Sequence, residues 1–284
     1  MTQQTHQANK TTAQIPTHKN MSSTVQGASK EYRAQVGNIQ IKAVDLTVGY
    51  DNYILLKDVN FEVKKGDVFI IMGGSGSGKS SLLRVLTGLM PPKTGQVFID
   101  GIDFTKAEQN ERDLIMQKCG ILYQSGALFS SMTLAENIAL PLQQYSSFSP
   151  QTISELVSLK LSLVGLAGFE DFYPSEISGG MKKRAGLARA LALDPEIVYF
   201  DEPSAGLDPI SSRALDDLIL DINQSLGTTI VVVTHELSSI FAIGNNAIFL
   251  DPASKSISGY GSPKDLLKNP PNETIYKFLT RGAK

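Results

Sequence analysis

The chain has 284 residues, with 26 lysines and arginines against 28 aspartates and glutamates, which gives a formal net charge of −2. This balance provides no overall positive field of the kind that nucleic-acid-binding proteins carry, so no nucleic-acid partner is expected. No stretch approaches the roughly 20 consecutive apolar residues that cross a bilayer, and no apolar secretion segment opens the chain. These features predict a protein that stays in the cytoplasm.

Residues 1–36 differ in composition from the rest of the chain. They are rich in Gln, Thr, Ser, Asn and Lys and hold few large apolar residues. Such a segment cannot bury enough apolar surface to offset the entropy of ordering, so a disordered N-terminal tail is predicted. Met21 is an alternative start of the protein, and the sequence leaves this point open. Strand-like segments follow: IQIKAVDLTVGY from residue 39, ILLKDVNFEV from residue 54 and GQVFIDGIDF from residue 95.

Residues 73–80, GGSGSGKS, fit the phosphate-loop pattern GxxxxGK[ST], with an apolar strand before them and a helix-like segment after them. The glycines allow positive φ angles, so that backbone N–H groups turn inward toward phosphate oxygens. Lys79 adds a positive charge for the β and γ phosphates, and the Ser80 hydroxyl is a ligand for Mg²⁺. The residues assigned to binding ATP here are Gly73, Gly74, Ser75, Gly76, Ser77, Gly78, Lys79, Ser80 and Ser81.

Residues from about 131 to 193 follow a helical period. TLAENIALPL opens with Thr133 as an N-cap and has Glu136 three residues later, the spacing of a capping box. TISELVSLKLSLVGL continues the helical pattern toward ISGGMKKR at residues 177–184. Near the end of the chain, SPKDLLKNPPNETIYKFLTRG predicts a short helix, a proline break and a second short helix. Whether that segment packs on the protein or contacts a partner stays open.

The segment IVYFDEPSAGLDP, residues 197–209, runs from four apolar residues into adjacent carboxylates, as a buried parallel strand does where it ends at a site. If the alternation of a strand holds to its end, Asp201 and Glu202 point to opposite sides of the chain. We assign Asp201 to a direct or water-mediated magnesium contact and Glu202 to the base that orients the attacking water. Another apolar strand, TTIVVVT, precedes His235, and the two strands predict a parallel sheet buried on both faces.

In this order, the motifs resemble those of the ATP-binding-cassette (ABC) ATPases over about residues 39–262. The resemblance implies an α/β fold: a P-loop NTPase with an antiparallel β subdomain, a parallel RecA-like core sheet and a helical subdomain at about 131–193. Residues 263–284 would then be a C-terminal helical extension. It also implies an enzyme that hydrolyses ATP with Mg²⁺.

The resemblance assigns roles to three further side chains. Tyr50 stands where the family places an aromatic residue that stacks on adenine, although Tyr53 is a competing candidate and an exposed hairpin tyrosine is the alternative. Gln124 matches the glutamine that joins the magnesium shell and senses the membrane partner. His235 matches the histidine that contacts the γ phosphate and the catalytic water and acts with Glu202.

Ser178, Gly179 and Gly180 match the family signature, which closes over the γ phosphate bound by the opposite protomer, so a homodimer is implied. Two glycines permit close backbone approach, and the following helix presents its positive end to phosphate. Residues 204–208, SAGLD, match the loop through which the protomers touch. Ile177 and Met181 depart from the usual Leu and Gln, and the change at position 181 removes a side-chain amide.

Two strings, QSGALFSSMTLAENIALPL and SGGMKKRAGLARAL, look like those of Mla-type lipid-transporter ATPases. That resemblance implies an integral membrane permease, an MCE-domain lipid-binding protein and, indirectly, phospholipid. It places the protein on the cytoplasmic face of the inner membrane of a Gram-negative bacterium. The alternatives are the ATPase of another transporter, in which Lys182, Lys183 and Arg184 are a solvated helix face, and a soluble ABC ATPase without a transport role.

Overall fold

The computed structural model describes residues 38–281. The tail predicted over residues 1–36 and the alternative start at Met21 lie outside the described residues. The strands in this range are β1 (Ile39–Tyr50), β2 (Tyr53–Lys64), β3 (Val68–Gly73), β4 (Thr94–Ile99), β5 (Ile102–Asp103), β6 (Cys119–Leu122), β7 (Ile197–Asp201), β8 (Thr229–Val233), β9 (Asn246–Asp251) and β10 (Ser256–Gly261). The helices are α1 (Lys79–Leu86), α2 (Gln109–Gln117), α3 (Leu134–Tyr145), α4 (Pro150–Leu163), α5 (Gly179–Ala190), α6 (Pro209–Leu226), α7 (Leu237–Ile243), α8 (Pro263–Lys268) and α9 (Glu273–Leu279).

A small antiparallel sheet has the strand order β2-β1-β4-β5. Its first two strands form a hairpin in which Tyr50 pairs with Tyr53 across a two-residue turn. Asp51 in that turn has a φ of 44°, a left-handed conformation that aspartate tolerates better than most residues. One face of this sheet is apolar and buried, so the sheet packs on the rest of the protein instead of standing alone.

The large sheet has the order β10-β9-β3-β8-β7-β6, in which all neighbours are parallel except β10 and β9. Its central strand shows why the run Val68–Met72 is apolar throughout. Phe69 and Ile71 pack toward the small sheet and α1, whereas Ile70 and Met72 pack toward the core of α3 to α7. A strand with an apolar layer on each side needs no polar alternation. The predicted fold class is therefore confirmed.

Helices α3, α4 and α5 form the helical region, and each begins at a side-chain cap. Thr133 accepts a hydrogen bond from the backbone of Glu136, whose carboxylate accepts one from the backbone of Thr133, so the predicted capping box is confirmed. Ser149 caps α4 and Ser178 caps α5 by the side-chain acceptor alone, without the reciprocal bond. The signature serine thus also fixes where its own helix starts.

The end of the described chain packs on the large sheet. Helix α8 and helix α9 flank the prolines at 270 and 271, and α9 buries Ile275 and Leu279 in the main core. The Phe278 ring meets the edge of Phe249, with ring centroids 5.1 Å apart. Packing therefore accounts for this segment. Within residues 38–281, no helix is both long and apolar enough to cross a membrane.

Candidate functional site

The carboxyl ends of β3, β6, β7 and β8 lie at one edge of the large sheet, and a cleft of about 740 Å³ opens beside them. Ligands of open parallel sheets bind at this edge, because the loops that leave the strands converge there. The cleft is lined by Leu55, residues 74–81, Gln124, Glu202, His235, Leu237, Lys277, Phe278 and Arg281.

The loop at residues 73–80 depends on glycine for its path. Gly73, Gly76 and Gly78 have φ angles of 153°, 75° and 96°. A Cβ atom on Gly73 would lie 2.6 Å from the Leu250 carbonyl oxygen, closer than any side chain tolerates. The loop then leads directly into α1, whose first N–H groups have no partner within the helix. The result is an amide-lined cradle suited to an anion.

Lys79 is buried at the floor of the cradle. Its Nζ donates hydrogen bonds to the carbonyl oxygens of Gly73 and Gly74, both at 3.0 Å, and lies 4.0 Å from Glu202 Oε1. Burial lowers the pKa of the ammonium, while the Glu202 and Asp201 carboxylates oppose that shift. The charge is thus held by two carbonyl dipoles and a carboxylate, and it is available to a phosphate.

Ser80 and Asp201 meet across the site. Ser80 Oγ donates a hydrogen bond of 3.0 Å to Asp201 Oδ1. Burial raises the pKa of Asp201, and the Ser80 hydrogen bond lowers it in part. Gln124, after β6, lines the same cleft. A hydroxyl, a carboxylate and an amide oxygen are hard ligands, and Mg²⁺ prefers one or two of these together with phosphate oxygens, so the residues fit that ion.

The backbone at Glu202 does not continue the extended conformation of β7, which the predicted strand alternation requires. Strand β7 ends at Asp201, and Glu202 has a φ of 49°, in the left-handed region. A hydrogen bond of 2.8 Å from its N–H to the Val233 carbonyl holds this turn. Strand alternation therefore stops at Asp201, and a left-handed turn at Glu202 takes its place.

The two oxygens of the Glu202 carboxylate have different surroundings. Oε1 lies 2.8 Å from His235 Nδ1, which must carry the proton if it donates to an ionised carboxylate. Oε2 is buried and has no hydrogen-bond partner among residues 38–281. Ser77 Oγ, also on the cleft wall, is buried and without a partner in the same range. Buried unpartnered groups are rare, so both fit a ligand that enters the cleft.

A family profile described as ABC transporter matches residues 56–205. The chain belongs to the ABC transporter family. It is 39% identical over 241 residues to the probable ribonucleotide transport ATP-binding protein mkl of Mycobacterium leprae, a match that covers 85% of this chain and 69% of that protein. It is 37% identical over 241 residues to the intermembrane phospholipid transport system ATP-binding protein MlaF of Escherichia coli K12, covering 85% and 88%.

Solved structures agree with the family assignment. The dimeric ATP-binding cassette MJ0796, in a post-hydrolysis state bound to ADP and Pi, superposes with a TM-score of 0.72 at 30% identity and covers 78% of this chain and 98% of its own. This ABC protein is accordingly an ATPase, converting ATP and water to ADP and phosphate, and its activity is coupled to transport. The resemblance to Mla-type ATPases is confirmed by the MlaF relatives.

The signature residues of this ABC protein lie away from the cleft. Ser178 Oγ accepts a hydrogen bond of 3.3 Å from the Met181 N–H, Gly179 is exposed and Gly180 is half-buried. Within the part of the chain that the structure describes, none of these three glycine and serine residues lines the cleft. One chain therefore brings together the phosphate loop, both carboxylates and the histidine, but not the signature.

The two adenine-stacking candidates are both exposed, and neither is a cleft-lining residue of the described chain. The Tyr50 hydroxyl lies 3.0 Å from Ser81 Oγ and accepts a hydrogen bond of 3.2 Å from Arg84, and the Ser81 contact is the main cause of a lowered phenol pKa. The Tyr53 ring lies under the Lys255 ammonium, 4.6 Å from its centroid. Both tyrosines flank the turn of the β1–β2 hairpin.

Sequence reasoning missed two features. Lys183 is not part of a solvated face: it is buried, and its Nζ donates to the Pro203 carbonyl at 2.6 Å and to the Ala205 carbonyl. Burial lowers its pKa. Residues Lys277, Phe278 and Arg281 also line the cleft, although they lie about 200 positions from the phosphate loop. No local motif signals either contact, because both depend on how distant segments pack.

Proposed function

We propose that this chain is the ATP-hydrolysing subunit of a transporter that moves phospholipid in the cell envelope. Its partners would be a separate integral membrane permease and an MCE-domain lipid-binding protein. It would sit on the cytoplasmic face of the inner membrane of a Gram-negative bacterium. The observation that carries the proposal is the 37% identity to a phospholipid transport ATP-binding protein over 88% of that protein's length.

Ribonucleotide transport is the second candidate, because the Mycobacterium leprae relative, at 39% identity, is named for it. The identities of the two relatives are nearly equal, so identity does not separate them. Coverage favours phospholipid, since the chain spans 88% of the MlaF protein and 69% of the mkl protein. The strings QSGALF and GGMKKR favour the same reading.

The proposed ATP contacts follow the geometry of the cleft. The loop amides and the N-terminus of α1 hold the phosphates, and Lys79 supplies charge to the β and γ groups. Ser80, Asp201 and Gln124 would hold Mg²⁺, which on binding supplies positive charge against the phosphate oxygens. Tyr50 would stack on adenine, with Tyr53 as its competitor.

Hydrolysis would be carried by Glu202 and His235. Glu202 Oε2, free of protein partners among residues 38–281, accepts the proton of the attacking water. Oε1 would receive the Nδ1–H of His235, which fixes the carboxylate and leaves Nε2 of the neutral imidazole as an acceptor for the catalytic water. Lys79, 4.0 Å from Oε1, offsets the negative charge that develops on the phosphate.

The working form would be a homodimer in which each cleft is closed by the partner. Ser178 and Gly179 are exposed and Gly180 is half-buried at the start of α5, where the helix end favours an anion. They would seal the γ phosphate held by the opposite protomer, with residues 204–208 at the dimer contact. Closure of the dimer would move the permease helices that dock near Gln124.

The test is to purify tagged Glu202→Gln protein with ATP from its native membranes and to identify co-purifying proteins and lipids by mass spectrometry. Lys79→Ala protein, prepared in parallel, is the matched control that does not close. A multi-helix permease, an MCE-domain protein and phospholipid are expected. A permease without lipid would reject the phospholipid assignment, and enrichment of ribonucleotide-binding partners would favour the second candidate.

A further inference from the structure

The cleft wall contributed by the C-terminal turn contains an arginine next to the proposed catalytic residues. Arg281 Nη2 lies 3.5 Å from Glu236 Oε2, and the other oxygen of Glu236 lies 3.7 Å from His235 Nε2. On its opposite side, His235 Nδ1 contacts Glu202. The imidazole therefore lies between two carboxylates, one of which is paired with Arg281.

The backbone at Arg281 is held by its surroundings, whereas its side chain is largely exposed. It follows α9, which is anchored by the buried side chains of Ile275 and Leu279. Arg281 itself has a φ of 52°, and its N–H donates to the Phe278 carbonyl at 3.2 Å. A left-handed conformation is costly for a residue with a side chain and persists where the neighbouring structure determines it. Arg281 also lines a second cavity, of about 370 Å³, beside the loop at residues 204–208.

Glu236 presents a problem for the proposed chemistry. It competes with Glu202 for the single N–H of the neutral imidazole, because the tautomer with its proton on Nε2 would be drawn to Glu236 and would lose the Nδ1–H bond to Glu202. The charge of Glu236 also repels a phosphate. A cation on the opposite carboxylate oxygen reduces both effects. Arg281 supplies that cation. It belongs to none of the motifs assigned to ATP, namely the phosphate loop, the carboxylates Asp201 and Glu202, and the signature.

We propose that Arg281 is a positioning residue for His235: by pairing with Glu236, it weakens that carboxylate as an acceptor and favours the imidazole tautomer whose Nδ1–H is donated to Glu202. The inference rests on the proposed role of His235 in hydrolysis. Although Arg281 lines the cleft, it is assigned no contact with the reacting atoms and acts through Glu236.

The test is a double-mutant cycle in the full chain, with kcat and KM for ATP measured for Arg281→Gln, Glu236→Gln and the double variant. Arg281→Gln is expected to lower kcat about two- to fivefold, the range of an exposed ion pair, with KM changed less than about twofold. In the Glu236→Gln background, the same change is expected to cost nothing, because no carboxylate remains to be held. Arg281→Lys should retain most of kcat.

Glu273→Gln is the matched control, since it breaks an exposed ion pair with Lys277 on the same helix without touching Glu236. An equal loss of kcat from Arg281→Gln in both backgrounds would mean a structural role and would overturn the proposal. A wild-type kcat for Arg281→Gln would overturn it as well.

A readout without hydrolysis separates this proposal from the proposed function. The ring-nitrogen NMR shifts of His235 in nucleotide-free protein should move in Arg281→Gln and stay unchanged in Glu273→Gln. Unchanged shifts in both variants would overturn the Arg281 proposal. If the shifts move but His235→Ala hydrolyses ATP at the wild-type rate, the coupling stands and the catalytic role of His235 fails.

Discussion

At the scale of single residues, the site depends on carboxylate oxygens with different partners. Asp201 gives one oxygen to the Ser80 hydroxyl, and Glu202 gives one to His235. The other oxygen of Glu202 is buried without a partner among the described residues. In the proposed mechanism this oxygen accepts the proton of the attacking water, so replacement of Glu202 tests the proposed hydrolysis most sharply.

Replacing Glu202 with Gln should abolish most hydrolysis and retain ATP binding. The amide keeps the shape of the side chain and can still contact His235, but it cannot accept a proton. A loss of about 10²- to 10⁴-fold in the single-turnover rate is expected, the usual contribution of a general base. Glu196→Gln, which alters an exposed ion pair with Lys118, is the control. Turnover of Glu202→Gln within twofold of wild type would place the base elsewhere.

Replacing Lys79 with Ala should remove nucleotide binding or turnover. The buried ammonium contacts two loop carbonyls, and no other side chain occupies that position in the cradle among residues 38–281. Equilibrium binding of a fluorescent ATP analogue measures the effect. Lys106→Ala, which changes a lysine exposed beside Asp103, should bind as the wild type does. Near-normal turnover of Lys79→Ala would contradict the phosphate-loop assignment.

At the scale of elements, the signature helix is tied to the loop that follows the catalytic strand. Lys183, on α5, bridges to the carbonyls of Pro203 and Ala205 with its buried ammonium. These residues directly follow Glu202. The helix that would meet the partner's nucleotide and the loop that would touch the partner protomer are thus held together by one side chain.

Lys183→Met should destabilise the protein by about 1 to 3 kcal/mol, because it leaves the Pro203 and Ala205 carbonyls without their donor while it keeps the apolar stem. Urea unfolding measures the change. Lys182→Met, the neighbouring substitution on the same helix, should leave the free energy of unfolding within about 0.5 kcal/mol of wild type. Equal effects of the two substitutions would contradict the buried bridge.

Helices α6 and α7 are joined by a buried carboxylate whose charge is a cost to stability. Ser239 Oγ donates to Asp216 Oδ2 at 2.9 Å, whereas Oδ1 is buried and has no partner in the described chain. Burial raises the pKa of Asp216, and the Ser239 hydrogen bond opposes that shift in part. Because the folded state binds this proton more tightly than the unfolded state, the stability contribution falls as pH rises through the raised pKa.

Asp216→Asn should therefore stabilise the protein at pH 7 by about 1 kcal/mol. The gain should disappear near pH 3, where the wild-type carboxyl group is neutral as well. Chemical denaturation across this pH range measures it. Asp217→Asn, which changes an exposed partner of Arg213 on the same helix, should show no such trend. A gain that is independent of pH would exclude the charge as its cause.

At the scale of the whole molecule, the features predicted correctly from the sequence are the strands and helix starts that a local residue pattern determines. The apolar runs before Gly73 and Asp201 predicted buried parallel strands, and Thr133 with Glu136 predicted a helix start, all of which the structure contains. The premise that strand alternation extends to Glu202 was not met, because the backbone of Glu202 is left-handed and its residue type does not signal that conformation. Contacts between distant segments, such as Lys183 with the loop after Glu202, required the folded chain.

In a single chain, the cleft and the signature residues lie apart. The cleft gathers the phosphate loop, Gln124, Glu202 and His235, while the signature at Ser178 is exposed elsewhere on the protein. In the proposed dimer, ATP joins two chains, each of which closes the cleft of the other. Such a dimer should accumulate when binding is retained and hydrolysis is blocked.

The most direct measurement is the solution mass of Glu202→Gln protein by light scattering, with saturating ATP and Mg²⁺ and, in parallel, with ADP. We expect twice the monomer mass with ATP and the monomer mass with ADP. Adding Ser178→Arg to the same chain should keep it monomeric with ATP although it still binds the nucleotide. A Glu202→Gln protein that remains monomeric with bound ATP, or a Ser178→Arg variant that dimerises equally well, would contradict the account.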